Sequence, residues 1–338
     1  MTDSSNKPLI IGTRASELAL RQAEMVESAL RLAHPDLVIE RRIISTFGDK
    51  RQDLQLGRPT DPSAAAIDKG VFTKELEVEL EAGTIDVAVH SLKDVPTELP
   101  DGFKIAATLP RARIEEVLFT KSGKTITKLP AGAKIATSSP RRERQLLWLN
   151  PRLVIVPIRG NVPTRIRKFS EDPELEGLML ARAGLDRLGF HFEGNKMIWN
   201  QSFLHAVTLP PDLIYPAVGQ GAIGIEIRKG DKRTADLLAP INHATTFTSV
   251  TAEREFLHLL KAGCHTPVGF RSMLYYDLLT LTAIVFDEHD LTAPPRQGTV
   301  TGPAHQPGKL AAQLLSELVV LVKPKPRVGR PRTTFPFS

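Results

Sequence analysis

Lys93 and Asp94 stand side by side in His90-Ser91-Leu92-Lys93-Asp94-Val95-Pro96, directly after the apolar run Ile85-Asp86-Val87-Ala88-Val89. A lysine and a carboxylate at the end of a buried strand lie where α/β proteins carry out chemistry. Pro96 lacks the N–H needed to continue a ladder and stops the segment. The pattern predicts a held acid at Asp94 rather than a solvated one, although an isolated Lys-Asp pair of this kind is as often a surface ion pair. Ser139-Pro140-Arg141-Arg142 supplies the complementary chemistry. Ser is a favoured N-cap and Pro a favoured first helical residue, so exposed N–H groups, the helix dipole and two guanidiniums would meet at one anion-binding mouth. Gly12-Thr13-Arg14-Ala15-Ser16 and Pro157-Ile158-Arg159-Gly160-Asn161, with Arg165 about a turn further on, repeat the arrangement of arginine at a strand-to-helix turn. Several such arginines in one crevice fit a ligand carrying several carboxylates or phosphates.

Cys264, the single cysteine, follows Gly263 and precedes His265. It excludes an internal disulfide and any cysteine-rich metal site. On its own it reads more readily as a buried structural thiol than as a nucleophile, and His90 and His243 read as hydrogen-bonded structural groups. No metal-ligand spacing occurs. Gly219-Gln220-Gly221-Ala222-Ile223-Gly224 spells a dinucleotide fingerprint but precedes a strand instead of opening a helix, so it is not one.

The elements that must position these residues alternate. Residues 9–12 and 38–45 read as strands around an amphipathic helix over 16–33, and a helix over 73–82 feeds the strand at 85–89. A second unit begins near 110, with strands at 134–139, 153–158 and 177–181 and helices from 140 and 161. Residues 222–227 form a further buried strand that could return to the first unit. The last part changes character: a helix over 249–261, β segments at 268–270 and 278–286, and a helix over 310–322. Between 49 and 69 lies a long polar segment with the character of a lid or a disordered loop. The expected architecture is two doubly wound α/β domains and a small α+β third.

Composition sets the outer limits. With 338 residues and 41% hydrophobic content, several ordinary cores can form. No apolar run approaches a membrane span, and the polar start is unlike a signal peptide, so the cytoplasm is the expected location. The 44 basic and 38 acidic residues give a net charge of +6, part of it in the Pro-rich tail at 323–338, which reads as a disordered extension. Nucleic-acid binding there is disfavoured, because no folded reading module accompanies the tail. No heptad pattern argues for assembly, and a monomer is expected.

Taken together, the blocks Ile11-Gly12-Thr13-Arg14-x-Ser16, Thr46-x-Gly48-Asp49, Phe72-Thr73-Lys74-Glu75-Leu76-Glu77, His90 to Pro96, Thr137-Ser138-Ser139-x-Arg141-Arg142, Arg159-Gly160-Asn161, Leu180-Ala181-x-Ala183-Gly184-Leu185, Ala217-Val218-Gly219-Gln220-Gly221-Ala222 and Ala252-Glu253-Arg254-x-Phe256-Leu257 leading to Gly263-Cys264 resemble the porphobilinogen deaminase, or hydroxymethylbilane synthase, family. The resemblance covers the chain to about residue 320. It implies two periplasmic-binding-protein-like domains, at 1–110 with 216–240 and at 111–215, and a third at 241–322. It also implies a transferase that condenses four porphobilinogen molecules into hydroxymethylbilane, releasing ammonia each time. By the same mapping Cys264 holds a dipyrromethane cofactor through a thioether and Asp94 is the catalytic carboxylate. Lys93, Ser139, Arg141, Arg142 and Asp94 contact the cofactor, while Arg14, Ser16, Gln22, Lys69, Ser91, Arg159, Arg165 and Gln220 bind substrate.

The chain departs from the family pattern at Ile67-Asp68-Lys69-Gly70-Val71-Phe72, where Gly-Gly-Lys-Gly-Leu-Phe is usual, and at Ala262-Gly263-Cys264, where Gly-Gly-Cys is common. Pro140 replaces a leucine. Ile114-Glu115-Glu116 replaces a basic-acidic pair, so one anion contact is expected to be missing. The alternative reading is a non-catalytic anion-binding protein of the same architecture, which would need neither Asp94 nor the thiol.

Overall fold

Strand β1 (Leu9–Arg14) runs into helix α1 (Glu17–Ala33), which returns to β2 (Ile39–Ile44), parallel to β1. This computed structural model describes residues 7–45, 73–262 and 266–320, with side chains to 318. The βαβ opening forms because Ala19, Ala23, Val26 and Leu30 recur at helical spacing and bury one face of α1. Ser16 starts the helix by accepting a hydrogen bond from the Ala19 N–H at 3.3 Å. Helix α2 (Lys74–Glu81) leads to β3 (Val87–Ser91), parallel to β1, and β4 (Phe103–Thr108) follows.

The chain then leaves this sheet and builds a second one. β5 (Glu116–Thr120), β6 (Lys134–Ala136), α3 (Pro140–Leu149), β7 (Val154–Val156), α4 (Val162–Glu171), β8 (Leu175–Ala181) and α5 (Arg182–Arg187) precede a meander of β9 (Phe192–Glu193), β10 (Lys196–Trp199) and β11 (Ser202–Leu209). β12 (Ile223–Arg228) returns to the first sheet and lies antiparallel between β3 and β4. The first sheet therefore has the order β2-β1-β3-β12-β4, and the second contains β7-β6-β8-β5-β11 in the same pattern, extended by β10 and β9. In each, the strand entering from the other unit is antiparallel to its neighbours. The β9 to β11 meander does not follow from the sequence pattern, because Asn200 and Gln201 make its tight turn with positive φ in the absence of glycine.

Helix α6 (Lys232–Leu238) leads to α7 (Ala244–Leu259), which starts five residues before the position expected from periodicity. The imidazole of His243 is its cap, accepting from the Thr246 N–H, and a Thr-rich first turn hides the helical pattern. A three-stranded antiparallel sheet of β13 (Val268–Tyr275), β14 (Leu278–Val285) and β15 (Arg296–Pro303) packs with α7 and α8 (Pro307–Val320). Phe256 and Phe270 meet at 5.1 Å in its core with Leu281 and Leu314. Burial of side chains of this size stabilises by roughly 1.5–3 kcal/mol each. The architecture is two doubly wound mixed α/β sheets and a small α+β unit.

Two connections, residues 109–115 and 210–222, join the first two sheets and touch where the Ala112 N–H donates to the Gly221 carbonyl at 3.0 Å. Gly221 has φ +82°, and a Cβ there would lie 2.5 Å from the Ala112 carbonyl oxygen. Only glycine satisfies both conditions. Gly221→Ala is expected to destabilise by about 1–2 kcal/mol from the backbone alone, with the clash added, measured by urea unfolding. An unchanged midpoint would contradict this account of the crossing point.

Candidate functional site

Strand β3 ends at Ser91, and a single 3-10 turn over Leu92–Asp94 follows before Pro96 ends the segment. Leu92 and Val95 bury their side chains with Ala222 and Val250, so the turn is pinned from below by the connection that leads into β12 and by α7. The Arg254 guanidinium of α7 pins it from beyond, donating to the carbonyls of Pro96 at 2.7 Å, Thr97 at 3.0 Å and Val95 at 3.3 Å. Gln22 of α1 holds the end of the strand through a 2.8 Å bond to Ser91 Oγ. The expectation of an unsolvated Asp94 is corrected: its backbone is fixed, but the side chain is exposed to the crevice because the 3-10 turn carries it out of the β3 core.

Asp94 lines a cavity of ≈60 Å³ with Arg14, Ser16, Gln22, His90 and Ser91. Next to it, sharing Ser91 and Leu18, lies a cavity of ≈80 Å³ whose wall includes Lys93, Arg142, Arg165 and Arg187. Four cations and no carboxylate among the described residues line this second space. Lys93 opens onto the crevice but is walled by both sheets, and poor hydration pushes its pKa down to about 8, with Asp94 opposing and Arg142 reinforcing the shift. Desolvation, Arg142 and Arg159 likewise lower Arg165 to about 10, against the attraction of Asp94. Arg165 Nε is oriented by the Gly160 carbonyl at 2.7 Å.

The α3 mouth forms as the sequence predicts, with Ser139 Oγ accepting from the Arg142 N–H at 3.5 Å. Its two guanidiniums, however, are not open forks. Arg141 Nη2 donates to Glu116 Oε1 at 2.5 Å and Arg142 Nη2 to Glu116 Oε2 at 2.7 Å, while Nη1 of each donates to a backbone carbonyl, of Tyr215 and Met179 respectively. Burial would raise the Glu116 carboxyl, but Arg142 and Arg141 overcome it and hold its pKa at about 2. Arg142 faces the larger cavity, and its buried Nε has no partner among the described residues. Arg141 and Ser139 line neither cavity. Gln220 is fully buried and donates to the Ile114 carbonyl at 2.7 Å and to Glu116 at 3.2 Å.

Glu116, Arg187 and Arg254 are among the residues that sequence reasoning missed. At Ile114-Glu115-Glu116 the acids divide: Glu115 pairs with Arg113 near the surface at 3.2 Å, and Glu116 turns inward. The signal available was a carboxylate opening the otherwise apolar strand Glu116-Val117-Leu118-Phe119-Thr120, which demands a buried cation. Arg159 lies near Arg165, and its carbonyl accepts from Lys168 Nζ at 3.1 Å. Lys69 and Cys264 lie outside the described residues, as do Thr46–Asp49 and Phe72, but α7 ends at Leu259, close in sequence before Cys264.

The charge of Lys93 is complete well below pH 8 and lost above it. Affinity of the crevice for a polycarboxylate ligand should therefore fall as pH rises through about 8. Lys93→Arg, whose charge persists, should remove that limb from the pH profile of the ligand's dissociation or Michaelis constant. A limb unchanged in the variant would assign it to another group.

A chain with this crevice matches known family models almost throughout. Residues 9–236 match "Porphobilinogen deaminase, dipyromethane cofactor binding domain", and residues 247–319 match "Porphobilinogen deaminase, C-terminal domain". A porphobilinogen deaminase of Syntrophotalea carbinolica is 42% identical over 305 residues, covering 88% of this chain and 91% of that protein. Those of Moorella thermoacetica and Carboxydothermus hydrogenoformans are each 41% identical, over 90% and 92% of this chain and 92% and 94% of theirs. Among solved structures, the BenM effector-binding domain with benzoate aligns with 69% of this chain and 90% of its own at 16% identity and a TM-score of 0.39. The chain belongs to the porphobilinogen deaminase family: it is a transferase that joins four porphobilinogen molecules into hydroxymethylbilane on a dipyrromethane cofactor, with release of ammonia.

Proposed function

We propose that Asp94 is the catalytic carboxylate of this reaction and that the cofactor is tethered to Cys264 through a thioether. The observation that carries the reading is the side-by-side placement of a fixed, accessible carboxylate and a cation-lined cavity at the C-terminal ends of β1 and β3. The donor set fits a dipyrromethane bearing acetate and propionate groups: Lys93, Arg142 and Arg165 face one space, and the buried Arg142 Nε lacks a partner among the described residues. When bound, that group supplies the nucleophilic pyrrole carbon to which the first substrate is joined.

The chain's own residues then have separable roles. Lys93 and Arg142, with Ser139 and Arg141 behind them, hold cofactor carboxylates, while Arg14, Ser16, Ser91, Arg159 and Arg165, with Gln22, Lys69 and Gln220, bind and orient substrate. In this reading Asp94 acts on the aminomethyl carbon of porphobilinogen as it loses its nitrogen. The C–N bond breaks with its electron pair leaving on ammonia, and the remaining azafulvenium cation is stabilised by the Asp94 carboxylate. The same carboxylate would accept, at Oδ, the proton released when the new C–C bond forms. The arginines offset the negative charge that each added pyrrole brings.

The three sheets, each with its own core, support domain limits of 1–110 with 216–240, 111–215, and 241–322. In this reading the protein acts as a monomer, with porphobilinogen as its small-molecule partner and without nucleic acid. No described helix is long and apolar enough to cross a membrane. A cytoplasmic location accords with the biosynthetic reaction.

Asp94→Asn should leave circular dichroism and thermal unfolding unchanged and lower kcat by roughly 100-fold or more, the scale of losing a key charge stabiliser. Intact-protein mass spectrometry of the wild type should show one dipyrromethane adduct. Near-normal turnover of the variant would remove Asp94 from the mechanism. A folded wild type without adduct would favour the anion-binding alternative.

A further inference from the structure

Two arginines proposed to grip the cofactor spend much of their hydrogen-bonding capacity on a residue of their own chain. Glu116 is fully buried and is the first residue of β5, with its backbone paired to Ala181 of β8 on one side and Leu209 of β11 on the other. The ladder on both sides fixes its backbone, and the buried ion pairs with two guanidiniums hold its side chain when ligand enters. Its carboxylate is thus a permanent partner of Arg141 and Arg142, one oxygen to each, and not a stand-in for a ligand carboxylate.

The contact does not end there. The Gln220 side-chain Nε2 donates to Glu116 and to the Ile114 carbonyl, while the Gln220 backbone carbonyl accepts from Arg111 Nε at 2.8 Å. Arg111 in turn forms a two-pronged pair with Glu253 of α7, at 2.5 and 3.1 Å, and Glu253 also accepts from the Gly219 N–H at 2.8 Å. Glu116, Gln220 and Glu253 are each fully buried. A continuous polar chain therefore runs from the α3 guanidiniums through both inter-sheet connections to the helix that precedes Cys264.

We propose that Glu116 is a positioning residue for the reaction: with Arg141 braced on its other oxygen, it aims Arg142 at the cofactor's carboxylates and, through Gln220, Arg111 and Glu253, keeps that aim in register with the helix leading to the cofactor's attachment point. The inference rests on the assignment of Arg141, Arg142 and Cys264 made above. It requires the negative charge of Glu116 and the reach of its side chain. A substitution that keeps one requirement should therefore retain part of the function.

The test compares full-length wild type, Glu116→Gln and Glu116→Asp by intact mass for the fraction carrying the dipyrromethane, by thermal unfolding, and by steady-state kinetics corrected for that fraction. Glu116→Gln should lose most of its cofactor loading, and kcat/KM of the loaded fraction should fall roughly 100-fold, as for a misaligned site. Glu116→Asp should recover part of both. A Glu116→Gln protein that unfolds at lower temperature but is fully loaded and kinetically normal below it would overturn the proposal and leave Glu116 a core residue. So would failure of both variants to fold, or a Glu116→Asp protein no better than Glu116→Gln. Absence of the adduct from the wild type would instead refute the underlying site assignment.

Discussion

Adjacent residues of α7 carry opposite charges into the interior, and the geometry of the crevice depends on both. Glu253 receives the Arg111 guanidinium and the Gly219 N–H at the two inter-sheet connections, and Arg254 closes on three carbonyls beyond the Asp94 turn. A buried guanidinium or carboxylate without a partner costs several kcal/mol, so these side chains enforce where the third unit sits. The same helix leads toward Cys264. The turn that carries Asp94 and the two inter-sheet connections are thereby referred to one rigid element.

Around that frame the electrostatics are arranged by burial. Glu116 keeps its charge because two arginines face it, and those arginines are tolerable in the interior because Glu116 and backbone carbonyls satisfy them. Lys93 is weakened mainly by poor hydration, which the attraction of Asp94 and Glu116 offsets only in part, and its charge is correspondingly easy to lose. The result, among the described residues, is a space with more positive charge than its own lining neutralises. That excess is what a ligand acquiring carboxylates at every addition requires, and a low-dielectric wall makes each such contact stronger than it would be in water.

Much of the fold is legible in the sequence where local chemistry is sufficient. The Ser139-Pro140 cap, the apolar face of α1 and the β3 run ending at Pro96 each announce themselves, and the structure forms them all. The strand that crosses back, β12, is visible as a buried apolar segment, but its antiparallel place between β3 and β4 depends on contacts far along the chain. The site divides the same way. Asp94 and the arginines are evident from residue type and position, whereas Glu116 and Arg254 act through partners 25 to 159 residues away. Nothing in their immediate neighbours records the carbonyls or guanidiniums they meet. His243 capping α7 is a smaller case of the same limit, since an imidazole is not among the side chains that ordinarily mark a helix start.

The central claim is that the chain grows on a dipyrromethane tethered to the sulfur of Cys264, under the control of Asp94. The most direct measurement is peptide mapping of the holoenzyme quenched after brief exposure to limiting porphobilinogen. The account predicts a ladder of successive pyrrole additions confined to the peptide containing Cys264. An unmodified Cys264 peptide in protein that has turned over, or additions mapped to any other residue, would contradict it.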